Sequence, residues 1–490
     1  MPRSPAAVLN AIHLDRHPGP RYRQLVCAVR DAILDGRLRP QARLPPSREL
    51  AVQLDLARNT IITAYELLQA EGYITSRVGA GSFVTADMPQ RPPVPARRPR
   101  PEAGPGLSKR GRWHLDFERS PGPASPRIFT PGIPDLRSFP VDVWRRLLSR
   151  SWRQAGRQLL QPSDRAGWLP LRRAIAAHIG PARGVRCTPD QVMLVTSSRQ
   201  AVYLAATVLA DPGDEAWIED PAYIDARSSL LAAGLSLVPV RVDGQGLDVE
   251  RGIARAPKAR LAVVTPSNHY PLGVTLSLAR RLRLLEWARQ AKAWIIEDDY
   301  DGEYRYTGRP LTALQGLDDD DRVIYVGSFS KTMFPTLRIA FLVCPEALID
   351  AVHAARRPID GPPATASQGA LADFIEAGFF AAHVKQMRAL YAERQAALVQ
   401  KLEAAFGGAL GIEGQQAGIH LLARLPRAVS DTGLVDAIAD PGVRPVPLSR
   451  YVLEGRGAGG LVLGYGNSDI RELTRGVTAL KRAWDAVRMA

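Results

Sequence analysis

The chain has 490 residues, 46% of them hydrophobic, and a formal net charge of +15, which accommodates two or three domains with a large core and suits an acidic partner. Its three cysteines, Cys27, Cys187 and Cys344, lie far apart and fit no disulfide or metal-ligand spacing. No apolar run reaches membrane-spanning length and the N-terminus lacks the apolar core of a signal peptide, so the expectation is a cytoplasmic protein with no membrane partner.

In chain order, Tyr22, Leu25, Val26, Val29, Ile33 and Leu34 share one helical face, and Gly36 ends that helix. Pro45-Pro46-Ser47 supply a turn and an N-cap for a second helix over residues 48–54. After a break at Asp55-Leu56-Ala57, a third helix runs over residues 58–71 and stops at Gly72. Tyr73-Ile74-Thr75 and residues 82–85, joined around Gly79-Ala80-Gly81, predict a β-hairpin. Three helices and a hairpin make a winged helix-turn-helix plan, and a helical bundle that binds no DNA is the alternative. In such a plan Arg58, Asn59 and Thr60 open the helix that meets base edges; Arg and Asn have the geometry to read guanine and adenine. Arg48 and Thr63 are candidate phosphate contacts, and Arg77 in the hairpin could reach a groove or the backbone. The runs L-P-P-S-R-E-L-A, L-D-L-A-R-N-T-I-I-T-A-Y-E-L-L-Q-A-E-G-Y-I and R-V-G-A-G-S-F-V resemble the GntR-type DNA-binding domain, which implies double-stranded operator DNA as a partner. Asp55 stands where that family favours Gly, and Ala57 where it favours Ser, which removes a hydroxyl from a candidate phosphate contact.

Residues 87–125 are Pro-rich and nearly free of large apolar side chains, the composition of an extended linker. Between Arg91 and Arg112 seven basic residues face one acid, Glu102, so the tether could follow DNA phosphates or simply stay solvated. From about Phe129 onward short apolar runs at 192–195, 215–218, 261–265, 293–297 and 323–326 alternate with helical stretches. That pattern predicts a mainly parallel sheet with helices on both faces.

Two stretches in this region carry chemistry. In residues 322–343, two buried-strand patterns flank a turn-rich segment with Ser328, Ser330, Lys331 and Arg338. Such a lysine suits a Schiff base beside a phosphate cup, and an ordinary loop lysine is the alternative. Upstream, the strand A-W-I-I-E-D-D-Y-D ends in Glu297, Asp298, Asp299, Tyr300 and Asp301, at the sheet edge that opens onto ligand crevices. A carboxylate there can hold a pyridine nitrogen protonated and a tyrosine can bond a ring oxygen; solvated turns and metal ligands are the other uses of such clusters.

Together with P-G-I-P-D-L-R-S-F-P, G-W-L-P-L-R-R-A-I-A, L-A-D-P-G-D-E-A-W-I-E-D-P-A-Y and T-P-S-N-H-Y-P-L-G-V-T, these stretches resemble fold type I aminotransferases that use pyridoxal 5′-phosphate. With the N-terminal domain, the whole chain outside the linker resembles the MocR-type regulators. The resemblance implies a winged helix-turn-helix domain over residues 15–86, the linker over 87–125 and an α/β aminotransferase-like domain over 126–490. It makes Lys331 the Schiff-base lysine, Asp298 the partner of the pyridine nitrogen, Tyr300 the donor to the ring oxygen and Tyr223 the stacking ring. Ser328, Ser330 and Arg338, with Ser197, Ser198 and Arg199 at a helix start, would hold the phosphate. It also implies a homodimer reading paired half-sites, and a domain that senses pyridoxal 5′-phosphate, or an amine or amino acid through an external aldimine. An active aminotransferase with an accessory DNA-binding module, and a DNA-binding protein that has lost the cofactor, are the other readings.

The chain departs from the aminotransferase pattern at several points. Ser197 and Arg199 stand where Gly and Gln are usual, and residues 161–167 lack the common Tyr-Gly-Asp-Pro start. Tyr270 precedes Pro271 in place of Asn, with Asn268 and His269 nearby, and L-V-L-G-Y-G lacks the arginine that binds substrate carboxylates. Arg450 or Arg444 is the candidate substitute.

Overall fold

The computed structural model describes all residues except 1–4, 11–13, 15–18, 78–79, 87–105, 119–125, 162–163, 307–310, 362, 456–458 and 490. Gly79 of the expected turn and most of the expected linker therefore lie outside the described residues. The chain divides into two units at Gly111.

The first unit contains α1 (Pro5–Asn10), α2 (Arg21–Leu34), α3 (Ser47–Gln53), α4 (Arg58–Ala70) and the antiparallel hairpin β1 (Ile74–Arg77) and β2 (Gly81–Val84). The apolar stripe of α2 buries Leu25, Val26, Val29 and Ile33 against Leu50 of α3, Ile61 and Leu68 of α4, and Ile74 and Val84 of the hairpin. Ser47 is the first residue of α3 and not its cap. Pro46 takes the cap position, and no side chain bonds to the helix end there. Tyr65 of α4 instead fixes the entry to α3, donating its hydroxyl to the Pro45 carbonyl at 2.9 Å. Asp55 adopts φ 51°, the left-handed conformation that costs a residue other than glycine about 1 kcal/mol. Ala57 is the N-cap of α4 and offers it no side-chain acceptor, a deficit of about 1 kcal/mol relative to Ser.

The boundary between the units falls within α5 (Lys109–Glu118). This helix interrupts the stretch expected to be extended, because the prolines stop before it and Ser108 Oγ accepts the Gly111 N–H at 3.0 Å. Then come α6 (Val141–Ala155), α7 (Leu169–Arg183), β3 (Val192–Val195), α8 (Ser198–Leu209), β4 (Glu215–Asp220), α9 (Ile224–Ala233) and β5 (Ser236–Asp243). They are followed by β6 (Gly246–Leu247), α10 (Val249–Arg255), β7 (Leu261–Val264), α11 (Leu278–Ala291), β8 (Trp294–Asp299), β9 (Val323–Ser328) and β10 (Ala340–Val343). The last part holds α12 (Ile349–Arg356), α13 (Gln368–Glu376), α14 (Phe379–Phe406), β11 (Gly411–Glu413), β12 (His420–Arg424), α15 (Asp431–Asp436), β13 (Val446–Pro447), β14 (Gly460–Gly464) and α16 (Ile470–Met489). Among the described residues, no helix is long and apolar enough to cross a membrane.

Eight strands form one sheet in the order β3-β10-β9-β8-β7-β4-β5-β6. It is mixed, since β10 runs antiparallel to both β3 and β9. The β9–β10 connection, residues 329–339, is too short for a parallel crossover and returns the chain in the opposite sense. Helices cover both faces. Ile296 of β8 packs with residues of α8 and α9 on one side, while Ile295 packs with residues of α10 and α11 on the other. That two-sided burial explains why the strands read as continuous apolar runs.

A second sheet, β11-β12-β14-β13, is antiparallel. Residues 128–132 lie against β14, and the Gly464 N–H donates to the Phe129 carbonyl at 3.0 Å. A Cβ at Gly464 would collide with the Thr130 carbonyl and reach 2.5 Å from Pro131 Cα, so only glycine permits this approach. Both obstacles are backbone, which cannot rotate away. Gly464→Ala should therefore destabilise the large unit by about 3 kcal/mol and displace Gly132, lowering the melting temperature. A melting temperature equal to that of the native chain would rule out this tight packing.

Candidate functional site

The end of β8 shows how one strand sorts four neighbouring acids. Successive side chains in a strand point to opposite faces, so Glu297 and Asp299 share one side and Asp298 takes the other. Glu297 accepts the N–H groups of Leu314 and Gln315 at 2.8 and 2.9 Å. Asp299 is locked by Arg183 Nε at 2.7 Å and by the Tyr325 hydroxyl at 2.7 Å. Asp301, beyond the strand, accepts from Asn268 Nδ2 at 2.8 Å. Asp298 has no such satisfaction: it is 2% exposed and its Oδ1 has no hydrogen-bond partner. Burial, reinforced by the charge of Asp299 and opposed by Lys331, pushes it up to about 7. No group of His, Cys, Asp and Glu among the described residues is arranged to hold a metal ion.

Lys331 follows β9 and is half-buried. Its Nζ donates to the Gly132 carbonyl at 2.6 Å. Gly132 has φ 73°, and a Cβ there would come within 2.8 Å of Nζ, so the glycine leaves room for the amine. Burial draws the Lys331 value down, opposed by Asp225, Asp301 and Asp298. The neutral amine is the form that attacks a carbonyl, and burial acts in that direction.

Lys331 opens into a cavity of about 250 Å³. Nine of the ten residues singled out for the cofactor line it: Lys331, Tyr300, Tyr223, Ser328, Ser330, Arg338, Ser197, Ser198 and Arg199. The tenth, Asp298, is buried and does not line the cavity. Ser197 is the N-cap of α8, where its Oγ accepts the Gln200 N–H at 3.2 Å, so this hydroxyl already serves the helix. The Ser328 hydroxyl accepts the Ser330 N–H at 3.2 Å. Arg338 sits at φ 54° with no ion-pair partner among the described residues. The Tyr300 hydroxyl accepts from Asn268 Nδ2 at 3.2 Å, and the Tyr223 hydroxyl donates to Asp225 Oδ2 at 2.7 Å.

The donor set fits pyridoxal 5′-phosphate. The orphaned Asp298 Oδ1 lacks the N–H that a protonated pyridine would bring, and the free end of α8 with Arg338 suits a phosphate dianion.

The cavity also includes Tyr270, noted in the sequence for standing in place of Asn, and Gly132, Asp225, Ile419 and His420, which are not singled out there. Tyr270 bonds hydroxyl to hydroxyl with Tyr451 at 2.8 Å. His420 contacts the Pro271 carbonyl at 3.2 Å, and burial draws it down to about 4, so it is neutral near pH 7. Arg450 lies on the turn Leu448–Tyr451, whose Leu448 and Tyr451 are buried, and it does not line the cavity. Arg444 is exposed. In the first unit, Arg48, Arg58, Asn59 and Thr63 are exposed and Thr60 is half-buried, and Arg77 lies 5.4 Å from the centre of the Phe83 ring.

Residues 132–457 match the family described as aminotransferase class I and II, and residues 21–84 match the bacterial regulatory proteins of the gntR family. The chain is 41% identical to the probable rhizopine catabolism regulatory protein MocR of Rhizobium meliloti, over 96% of this chain and 94% of that protein. It is 30% identical to the pyridoxine biosynthesis transcriptional regulator PdxR of Corynebacterium glutamicum, over 91% of this chain and 92% of that one. Its fold matches LysN, the α-aminoadipate aminotransferase of Thermus thermophilus complexed with N-(5′-phosphopyridoxyl)-L-leucine. The TM-score is 0.69 at 26% identity, covering 78% of this chain and 96% of that one.

The state of Asp298 can be checked without any cofactor. Its folded value lies above that of an unfolded carboxylate, so its contribution to stability falls as pH rises from about 4 to 7 and stays low above that. Asp298→Asn should raise the stability of cofactor-free protein at about pH 8, by at most about 4 kcal/mol, with the gain vanishing toward pH 4. The same substitution should weaken binding of pyridoxal 5′-phosphate. Denaturant titrations at the two pH values test the first part, and a gain that did not depend on pH would refute it.

Proposed function

Since this chain belongs to the MocR-type branch of the GntR family, in which a winged helix-turn-helix is joined to an aminotransferase-like domain, we propose that it regulates transcription in response to an amine sensed on pyridoxal 5′-phosphate. In this reading it acts in the cytoplasm as a homodimer on paired half-sites of double-stranded DNA. The observation that carries it is the buried Asp298, whose Oδ1 has no partner, together with Lys331 on the cavity wall, in the same chain as a winged helix-turn-helix.

When bound, the cofactor supplies an aldehyde that condenses with primary amines and a ring that draws electrons. Asp298 would accept the ring N–H, and Tyr300, oriented by Asn268, would donate to the ring oxygen. Tyr223 would stack on the ring. The N–H groups at the start of α8, Ser197, Ser198 and Arg199, would meet the phosphate together with Ser328, Ser330 and Arg338. The free Lys331 Nζ donates a hydrogen bond to the Gly132 carbonyl at 2.6 Å, a contact that binding of the lysine to the cofactor would alter. Occupancy is thereby coupled to residues 128–132 and, through them, to β14.

A working aminotransferase is the second reading, favoured by the same pairing of Asp298 with Lys331. It is weakened by the lack of an arginine on the cavity wall apart from Arg199 and Arg338, which the phosphate would engage.

Lys331→Ala should abolish the absorbance of lysine-bound cofactor in purified protein, and absence of that band in the unmutated protein would refute the cofactor role. Arg58→Ala should weaken binding to the specific DNA site by about tenfold or more while leaving that absorbance unchanged. Footprinting upstream of neighbouring genes locates the site. If none is protected at moderate salt while amino-group transfer to a keto acid is fast, the enzyme reading prevails.

A further inference from the structure

The charged groups on the cavity wall are Lys331, Arg199, Arg338 and Asp225. With the cofactor bound as proposed above, on which this inference rests, the two arginines and the end of α8 face the phosphate dianion. Arg199 is shared further, its Nε lying 3.6 Å from Asp225. The remaining lining consists of Ser328, Ser330, Pro335, three tyrosines, Ile419, neutral His420 and Pro131-Gly132. Tyr270 is backed by Tyr451, Leu422, Leu448 and Val462 of β14, with which it packs. No cation of the described wall is left to receive a second anion.

Asp225 points the other way in charge. It stands in the first turn of α9, and both of its contacts, the Tyr223 hydroxyl and Arg199, fall on Oδ2. Its second oxygen takes neither contact, and its charge is the strongest influence holding up the protonation of Lys331. An incoming carboxylate has nothing to donate to the second oxygen, and Arg199, 3.6 Å from the first, would be drawn on by the phosphate as well. A hydroxyl or ammonium group would donate to that oxygen.

We infer that the effector is a primary amine without a carboxylate, whose far end donates hydrogen bonds, through hydroxyl groups or a second ammonium, to Asp225. Asp225 is then a specificity-determining residue.

Matched pairs of probes test this on the full-length protein loaded with pyridoxal 5′-phosphate: serinol against serine, and putrescine against γ-aminobutyrate. Each pair differs only in exchanging a carboxylate for a donor group on carbon. The readout is the concentration that half-changes the cofactor absorbance. The carboxylate-free member of at least one pair should act at about ten- to hundredfold lower concentration, the span of one charge-assisted hydrogen bond. Which pair responds separates hydroxyl from ammonium recognition. Asp225→Asn should close most of that gap, each amine being compared at a cofactor loading matched to that of the unmutated protein. Equal or better action by both amino acids, or a gap unaltered by Asp225→Asn, overturns the inference alone. A cofactor band that no amine or amino acid alters overturns the amine-sensing reading and the inference with it. If the variant does not fold, the comparison on the unmutated protein still decides whether a carboxylate is excluded.

Discussion

A carboxylate buried without a donor is the constraint around which the large unit is arranged. An isolated buried charge is so costly that the group neutralises unless a partner is supplied, and Asp298 is held near that balance point. The fold provides partners freely to the acids around it: backbone N–H groups for Glu297, Arg183 and Tyr325 for Asp299, and Asn268 for Asp301. A sheet that satisfies three of four acids at one strand end leaves the fourth open for a reason external to the polypeptide. A protonated ring nitrogen would supply both the missing hydrogen bond and the missing positive charge, so that cofactor binding would relieve a destabilised carboxylate.

The other parts of the site follow from keeping that carboxylate fixed. β8 is flanked by β7 and β9, so its end cannot shift without breaking two ladders of hydrogen bonds. β9 carries Lys331 immediately beyond its end, which sets lysine and acid on adjacent strands of one rigid sheet. The amine is held on the other side by Gly132, which reaches it only because Gly464 lets residues 128–132 lie against β14. Sequence separation between Gly132 and Lys331 is large, yet the contact is a single short hydrogen bond.

How much of this is legible in the sequence differs by residue. Lys331, Asp298, Tyr300 and Arg338 are readable because they sit at strand ends, where apolar runs give way abruptly to polar groups. Alternation along β8 would separate Asp298 from Glu297 and Asp299, since the strand ends in a fixed register. Asp225, His420 and Gly132 leave no such mark; each enters the cavity from an element whose position depends on tertiary packing. Arg450 stands near the expected motif, but it lies on the turn at 448–451, which buries Leu448 and Tyr451, and it is not among the residues that line the cavity. In the first unit the helices and hairpin follow from periodicity. The cap does not: Ser47 has the right chemistry, but Pro46 already holds the extended backbone that a cap residue requires. Asp55 shows the reverse case, in which a departure from a family's glycine marks a left-handed residue.

The same contacts bound what an effector could do. A ligand shifts DNA affinity only by the difference in its free energy between two conformations, however tightly it binds. The group that changes state on this wall is the Lys331 amine, and what it gains or loses with the Gly132 carbonyl is one charge-assisted hydrogen bond, worth about 1.5–3 kcal/mol. Converted to a coupling, that is about ten- to hundredfold in affinity, the ordinary range for allosteric proteins. One hydrogen bond therefore suffices for a regulatory response, provided residues 128–132 have two arrangements to choose between.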